Sequence, residues 1–454
     1  MSALRAELSS DGPIGGWQRG RSEVFCFGQR ALIPETGEVR LDYELDGIAL
    51  VERFHLPGAP LSIPESHQSA VEKALDLLHW TAGISYWKAG CPARLEFSGS
   101  RPDHWQAEWL TRLWREGLAE FAWHNDLNVD DWPDFPAEQS ASGWATELGL
   151  GTRGLVAMGG GKDSLVALER VLAAGQAAHT VQVGNAALIK AVAGVAGQAH
   201  RVVQRRVDPL LGKLNQRGAF NGHVPITAIN SAVLAVLALV ADYRRVIFAN
   251  ERSADEHTLI DKRGRAVNHQ FSKSLAFERM FADWIGRYIA TDLEVFSILR
   301  RDRELAICRE FARLERYHGV FSSCNRNFHL DGARTKRWCG QCPKCHFVFL
   351  AMAPFLSPDR MTAIFGSNLL ADAEQLGGFR QLLALDGVKP FECVGEAVEA
   401  RAALAALAAI ERWREHVVVT ELAPLLEGLE VPALEALCRP VGDHLIPDEF
   451  LPEA

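Results

Sequence analysis

Apolar and polar positions alternate through residues 20 to 60, interrupted by turn residues at Pro34-Glu35-Thr36-Gly37 and Asp46-Gly47. This period of two predicts β-hairpins with one buried face. From Ser66 to Trp87 the apolar spacing becomes helical, and Asp103 to His124 predicts a second helix rich in tryptophan. The acidic, proline-containing stretch Asn125 to Gln139 reads as a linker and sets a first domain boundary at 140.

Beyond that boundary the pattern changes. Gly154 to Met158 is a short apolar strand, a glycine loop follows, and Leu165, Leu168, Val171 and Leu172 mark one face of a helix. Thr180 to Val183 predicts a second strand, Arg201 to Val207 a third, and Arg245 to Ala249 a fourth ending at Asn250, with a long helix from Thr227 to Ala241 between the last two. Strands alternating with helices predict an α/β fold, a parallel sheet covered on both faces. Ligands of such sheets bind beyond the carboxyl ends of the strands, where the glycine loop and Asn250-Glu251 fall. Residues 360 to 454 are rich in Ala and Leu and read as helical, with Arg401 to Arg414 one surface-packed helix. Three regions are expected: an N-terminal α+β domain over 1–140, an α/β domain over 141–355 and a helical region over 356–454.

Composition narrows the function. A chain of 454 residues fits two or three domains, and its 48% hydrophobic and 23% charged residues are ordinary for a globular protein. A net charge of -9 argues against a nucleic-acid binder, although Arg201, Arg205 and Arg206 form a basic cluster at a predicted strand. Met1 to Gly12 has no apolar run of the secretory kind, and the longest apolar stretch, Ala232 to Ala241, is too short to span a bilayer. Nine cysteines in so long a chain do not make a disulfide scaffold, so reduced thiols and a cytoplasmic setting are expected, with no membrane partner.

The loop Gly159-Gly160-Gly161-Lys162-Asp163-Ser164 stands between a strand and a helix, an arrangement that turns backbone N–H groups towards an anion. A Walker loop would need Gly where Val156 stands and Ser or Thr where Asp163 stands, and a dinucleotide fingerprint would need a third Gly at Ser164. The loop instead resembles the Ser-Gly-Gly-x-Asp-Ser pattern of the ATP pyrophosphatases, or PP-loop enzymes, with Gly159 in place of the first Ser. The resemblance implies that Gly159, Gly160, Gly161, Lys162, Asp163 and Ser164 hold the phosphates of ATP, with chemistry at the α-phosphate and release of pyrophosphate. Asp163 would orient the loop or hold magnesium with the phosphates. Val183 and Asn250, at strand ends, complete the nucleotide candidates. The bland reading is a glycine turn between strand and helix.

Cys339, Cys342 and Cys345 form C-x-x-C-x-x-C with Pro343 inside it, and Cys324 lies upstream. Four thiolates at such spacing suit a tetrahedral zinc ion; iron–sulfur ligation and free buried thiols are the alternatives. Four cysteines leave no open position for water, so the metal is read as structural. Asn250 to His257 and Asn268 to Ser274 mix acids, bases and amides, as a pocket for acid–base work requires and as a solvated loop also would. His79 to Lys88 and Lys389 to Gly395 are unusual segments, the second placing Cys393 just after Glu392.

The loop, Asn250 to His257, Asn268 to Ser274, the cysteine group and Lys389 to Gly395 together resemble the ATP-dependent epimerases of UDP-N-acetylmuramoyl-L-alanyl-L-glutamate, over nearly the whole chain. That resemblance implies inversion of the terminal glutamate of a small-molecule cell-wall precursor, with ATP and magnesium consumed in activation. The α-proton beside a carboxylate is hard to remove, and converting the carboxylate to an acyl-adenylate acidifies it. Two groups on opposite faces would then move the proton. Cys393 and His269 are the first candidates, with Glu251, Asp255 and Lys273 as substitutes. The rivals are a PP-loop enzyme that activates a carboxylate for amide or nitrile formation, and a non-catalytic ATP-binding module.

Overall fold

The structure is a computed structural model and describes residues 14–138, 143–328, 336–385, 390, 392 and 394–451. Its strands are β1 (Val24–Ile33), β2 (Glu38–Leu45), β3 (Ile48–His55), β4 (Arg94–Phe97), β5 (Gly154–Ala157), β6 (Ala178–Val183), β7 (His200–Arg206), β8 (Arg245–Phe248), β9 (Leu259–Ile260), β10 (Ala266–Val267) and β11 (Glu294–Ser297). Two compact units form, each from separate stretches: residues 1–151, 202–243 and 283–293 in the first, and 152–201, 244–282 and 294–454 in the second.

In the first unit β1, β2 and β3 form an antiparallel meander with the expected turns, and β4 pairs parallel to β1. Asp46 (φ 51) and Gly47 (φ 83) both adopt positive φ, the two-residue turn whose twist suits a hairpin. The Asp46 carboxylate accepts from the amides of Glu23 at 2.8 Å and Val24 at 3.0 Å, which closes the sheet over this turn. Phe25, Leu41, Tyr43 and Leu50 face inward from the meander, as the period-two pattern requires. The tryptophan-rich stretch is broken into helices His104–Gly117 and Ala119–His124, the first opened by a reciprocal cap between Asp103 and Gln106.

One expectation fails here. The stretch read as a linker is packed: Trp132 and Phe135 are buried, the Phe135 ring lies 4.8 Å from that of Trp114, and Arg115 Nη2 donates to the Trp132 carbonyl at 3.0 Å. The third expected strand forms as β7, next to β6 in the strand order, and its Gln204 to Arg206 also pair antiparallel with β3. The basic cluster there is no anion patch at Arg205, whose guanidinium forms a 2.5 Å ion pair with fully buried Glu52. The apolar helix Ile226–Val240 also belongs to this unit, packed against Glu65–Ala82. It is buried on nearly all sides, consistent with its unbroken apolar surface.

In the second unit β11, β8, β5 and β6 lie side by side in that order, all parallel. Every residue of β8 is buried, as a strand covered on both faces demands. The helix Lys162–Ala173 packs on β5, β6 and β8. The C-terminal region is helical as expected, but its longest helix is Ala397–Ala409 rather than 401–414. Its Ala400, Ala403, Leu404 and Leu407 are buried in the core of the unit, not laid on a surface. Among the described residues no helix is long and apolar enough to cross a membrane.

Candidate functional site

The carboxyl ends of the four parallel strands carry the site, all within the second unit. β5 leads into the glycine loop, β6 ends at half-buried Val183, β8 is followed by Asn250 and Glu251, and β11 leads to Arg300 and Glu304. Gly159 is exposed with open space around its missing Cβ. Gly160 takes φ +79, a conformation that glycine adopts without strain. Gly161 is the N-cap of the Lys162–Ala173 helix, and a Cβ there would come within 2.5 Å of Ser323 Oγ. The Ser323 hydroxyl is buried and has no hydrogen-bond partner, while the Ser322 amide donates to the Gly160 carbonyl at 3.1 Å. A helix N-terminus, a glycine cradle and an orphaned hydroxyl fit a phosphate.

Two loop residues do something other than line that cradle. Ser164 Oγ turns back to the Gly161 carbonyl at 3.1 Å. Lys162 is fully buried, and its ammonium is held by the carboxylates of Asp163 and Glu304. Glu304, at the start of the helix after β11, also receives Lys344 at 3.4 Å. Burial resists a charge on Glu304, but Lys162 and Lys344 outweigh it and hold the carboxyl down at about 2.

Glu251 has the opposite fate. Burial, followed by the negative charges of Glu304 and Asp163, pushes its carboxyl up to about 7, with Lys273 and Lys344 opposing. Burial and Glu304 likewise push Glu399 up to about 7. Glu399 accepts from Ser253 Oγ at 2.7 Å and from the Leu305 amide at 2.9 Å, which ties the C-terminal helix to the start of the Glu304 helix. Arg300 fixes the loop after β8: it donates to the Glu251 carbonyl at 2.9 Å, the Lys273 carbonyl at 2.6 Å and the Glu278 carboxylate at 2.8 Å. The site therefore keeps Glu304 ionised and brings Glu251 and Glu399 near neutrality, a separation of roles familiar from acid–base enzymes.

The remaining candidates divide. Lys273 is half-buried, with its Nζ 3.5 Å from Gln270 Oε1, and its charge acts on Glu251. Asp255 is exposed and accepts from the Leu275 amide at 2.7 Å, capping a helix. His269 is half-buried in the loop after β10. Cys393 lies outside the described residues; two positions on, Gly395 packs against Phe347 and the Glu399 carboxylate.

The four expected cysteines do converge. Their sulfurs all lie within 4.8 Å of one another, with Cys342–Cys345 at 3.4 Å, Cys339–Cys345 at 3.7 Å and Cys324–Cys342 at 3.9 Å. A tetrahedron of thiolates about 2.3 Å from zinc has edges of about 3.8 Å, so the donor set fits that ion. Cys342 caps the Pro343–Met352 helix with Pro343 at its first position, and that helix carries Lys344 to Glu304. Cys324 follows directly on the Ser322-Ser323 segment under the glycine loop.

Glu304, Lys344, Arg300, Ser323 and Glu399 escaped the sequence reading. β11 is four residues long and left no periodic signal, so the charge-dense Arg300 to Glu304 that follows it did not register as a strand end. Lys344 had a cue in its position between two cysteines of the motif.

Family models match the chain as a MurL N-terminal domain over residues 17–298 and a MurL C-terminal domain over 320–435. The chain belongs to the MurL family. It is 43% identical over 440 residues to the UDP-N-acetyl-alpha-D-muramoyl-L-alanyl-L-glutamate epimerase of Xanthomonas oryzae pv. oryzae, covering 96% of this chain and 97% of the relative. Proteins of the same name from Micromonospora sp. (95% of this chain, 97% of the relative) and Salinispora tropica (95% of each) are each 38% identical. The MurL C-terminal match contains Cys324, the cysteine motif, Lys344 and Glu399, and the N-terminal match contains the glycine loop and Glu251.

Proposed function

We propose that this MurL-family chain is an ATP-dependent epimerase that converts the terminal L-Glu of UDP-N-acetylmuramoyl-L-alanyl-L-glutamate to D-Glu, releasing AMP and pyrophosphate. The observation that carries the reading is Glu251: a buried carboxyl near neutral proton affinity, at a strand end beside a phosphate-type loop, in a chain aligned end to end with named epimerases.

In the first step a glutamate carboxylate oxygen attacks the α-phosphorus of ATP, and the bond to the β,γ-pyrophosphate breaks. The loop amides and Ser323 Oγ would hold the phosphates, and Asp163, with 23% of its side chain exposed, would hold magnesium, which neutralises the phosphate charge. The mixed anhydride removes the negative charge beside the α-carbon, so the α-proton becomes acidic enough for a carboxylate base. Glu251 in its ionised form takes that proton. A second group returns a proton to the opposite face, and water then cleaves the anhydride to release AMP and the precursor, its terminal residue now D-Glu. Glu304 and Lys162 remain a fixed pair, and the Glu304 charge raises Glu251. Cys324, Cys339, Cys342 and Cys345 would hold a structural zinc that fixes the floor of the loop.

Incubation with ATP, magnesium and the L-Glu precursor in deuterated water tests the reading. The expected product is the precursor with its terminal D-Glu deuterated at the α-carbon, with an equivalent of AMP. Inversion without AMP, or amide formation from added ammonia, would overturn it.

A further inference from the structure

The Lys162–Ala173 helix has the glycine loop at its N-terminus, and its other end borders a second feature. A cavity of about 690 Å³ lies against Arg170 and Ala174, between that end of the helix, the residues after β11, the Glu304–Phe311 helix and the C-terminal segment through Phe450. Its nearest lining residue on the helix, Arg170, is eight residues and about 12 Å along the axis from Lys162. Its volume falls in the range of small-molecule sites.

The charge balance of the walls is uneven. Asp302, Glu310 and Glu449 are the acids of the lining. Asp302 and Glu310 are taken by Arg170, at 2.6 and 2.7 Å, and Glu449 is taken by Arg245, which sits outside the lining and also pairs with Glu294 at 2.7 Å. That leaves Arg301, Arg309 and Arg313 on the wall with no acidic partner among the described residues. Arg309 donates only to the Cys438 carbonyl at 3.1 Å, and the Nε of Arg301 is buried without any hydrogen-bond partner. A buried guanidinium nitrogen left unpaired carries a desolvation cost that a bound anion would remove. Ile298, Ala306, Ile446 and Phe450 supply apolar lining, and the Phe450 ring is held in place by Arg245 at 5.2 Å and Phe296 at 5.4 Å.

We propose that this cavity binds an organic phosphate bearing a flat ring, the chemistry of a nucleoside monophosphate. The guanidiniums of Arg301 and Arg313 grip the phosphate in the forked geometry that arginine offers, and the ring lies on Phe450 and Ile298. The site is separate from the glycine loop and does not depend on the loop's role.

Titration calorimetry of the full chain with UMP, AMP and inorganic phosphate tests this. In the wild type a mononucleotide is expected to bind at least about tenfold more tightly than inorganic phosphate, a difference of about 1.4 kcal/mol. Arg301→Met with Arg313→Met should weaken that binding about tenfold or more. Ala174→Trp, which fills the cavity and leaves every charge in place, should abolish the same event. Neither change touches an ion pair, so the melting temperature reports folding independently. The proposal is overturned if no mononucleotide binds, if inorganic phosphate binds equally well, or if the arginine double variant binds unchanged.

Discussion

The amide of Ser322 donates to the carbonyl of Gly160 at 3.1 Å, so the segment leading into Cys324 is fastened to the glycine loop. The cysteine cluster is thereby part of the architecture of the nucleotide candidate site rather than a distant staple. Lys344, from the same cluster, reaches Glu304 beneath the loop.

Loss of a metal held at the proposed cysteine site should therefore be felt at the loop. One zinc per chain is expected by elemental analysis, and Cys342→Ser should lose it. ATP–pyrophosphate exchange should then fall by at least about tenfold together with the melting temperature, since structural zinc contributes directly to folding. A Cys342→Ser protein with full exchange activity would disconnect the two.

Ser323 Oγ is placed to supply a hydroxyl at a loop whose first position is Gly159. Ser323→Ala should raise KM for ATP about tenfold with little change in stability, the size of one lost hydrogen bond to a charged group. Because Gly159 has open space around it, Gly159→Ser in the Ser323→Ala background should recover most of the loss. No recovery, or no effect of Ser323→Ala, would count against a hydroxyl in the cradle.

Breaking the buried pair from one side should be costly. Glu304→Gln leaves the fully buried Lys162 ammonium with Asp163 alone, and destabilisation of about 3 kcal/mol is expected in denaturant unfolding. The same change withdraws a negative charge that raises Glu251, so the rising limb of the pH–activity profile should move to lower pH.

Glu251 links activity and stability through pH with opposite signs. Its carboxyl sits at about 7 in the folded chain against an ordinary 4.5, so the folded state holds this proton more tightly. Its stability contribution is complete below about 4.5 and is lost as pH rises through 7. Glu251→Gln removes that loss: the variant should be more stable than the wild type at pH 8 by on the order of 2 kcal/mol, with the gap closing towards pH 5. Wild-type activity should rise through about pH 7 as the base ionises, and deuterium exchange at the α-carbon should disappear in the variant. Undiminished exchange in Glu251→Gln would remove it as the base.

How much was legible along the chain depends on how local each feature is. The hairpin turn at Asp46-Gly47, the glycine loop between β5 and its helix, and the cysteine spacing are written in a few consecutive residues, and each forms as the local chemistry demands. Gly160 needs positive φ and Gly161 has no room for a side chain, constraints that the residue types announce themselves. Regular apolar periodicity likewise marked the helix at 226–240 and the buried strands.

Tertiary structure alone decided which strand joins which sheet and which charges meet. β7 reads as one more strand of a β/α series, and nothing along the chain announces that its other edge pairs antiparallel with β3; β11 takes a place in the parallel sheet with only four residues to show for it. The pairing of Lys162 with Glu304 spans 142 positions, and the bond from Ser253 to Glu399 spans 146. No local pattern encodes such contacts. They matter because desolvation and neighbouring charge, both set by packing, hold Glu304 ionised and bring Glu251 near neutrality. The residue types needed for acid–base chemistry were visible in the sequence; which carboxyl can exchange a proton near neutral pH was settled by the fold.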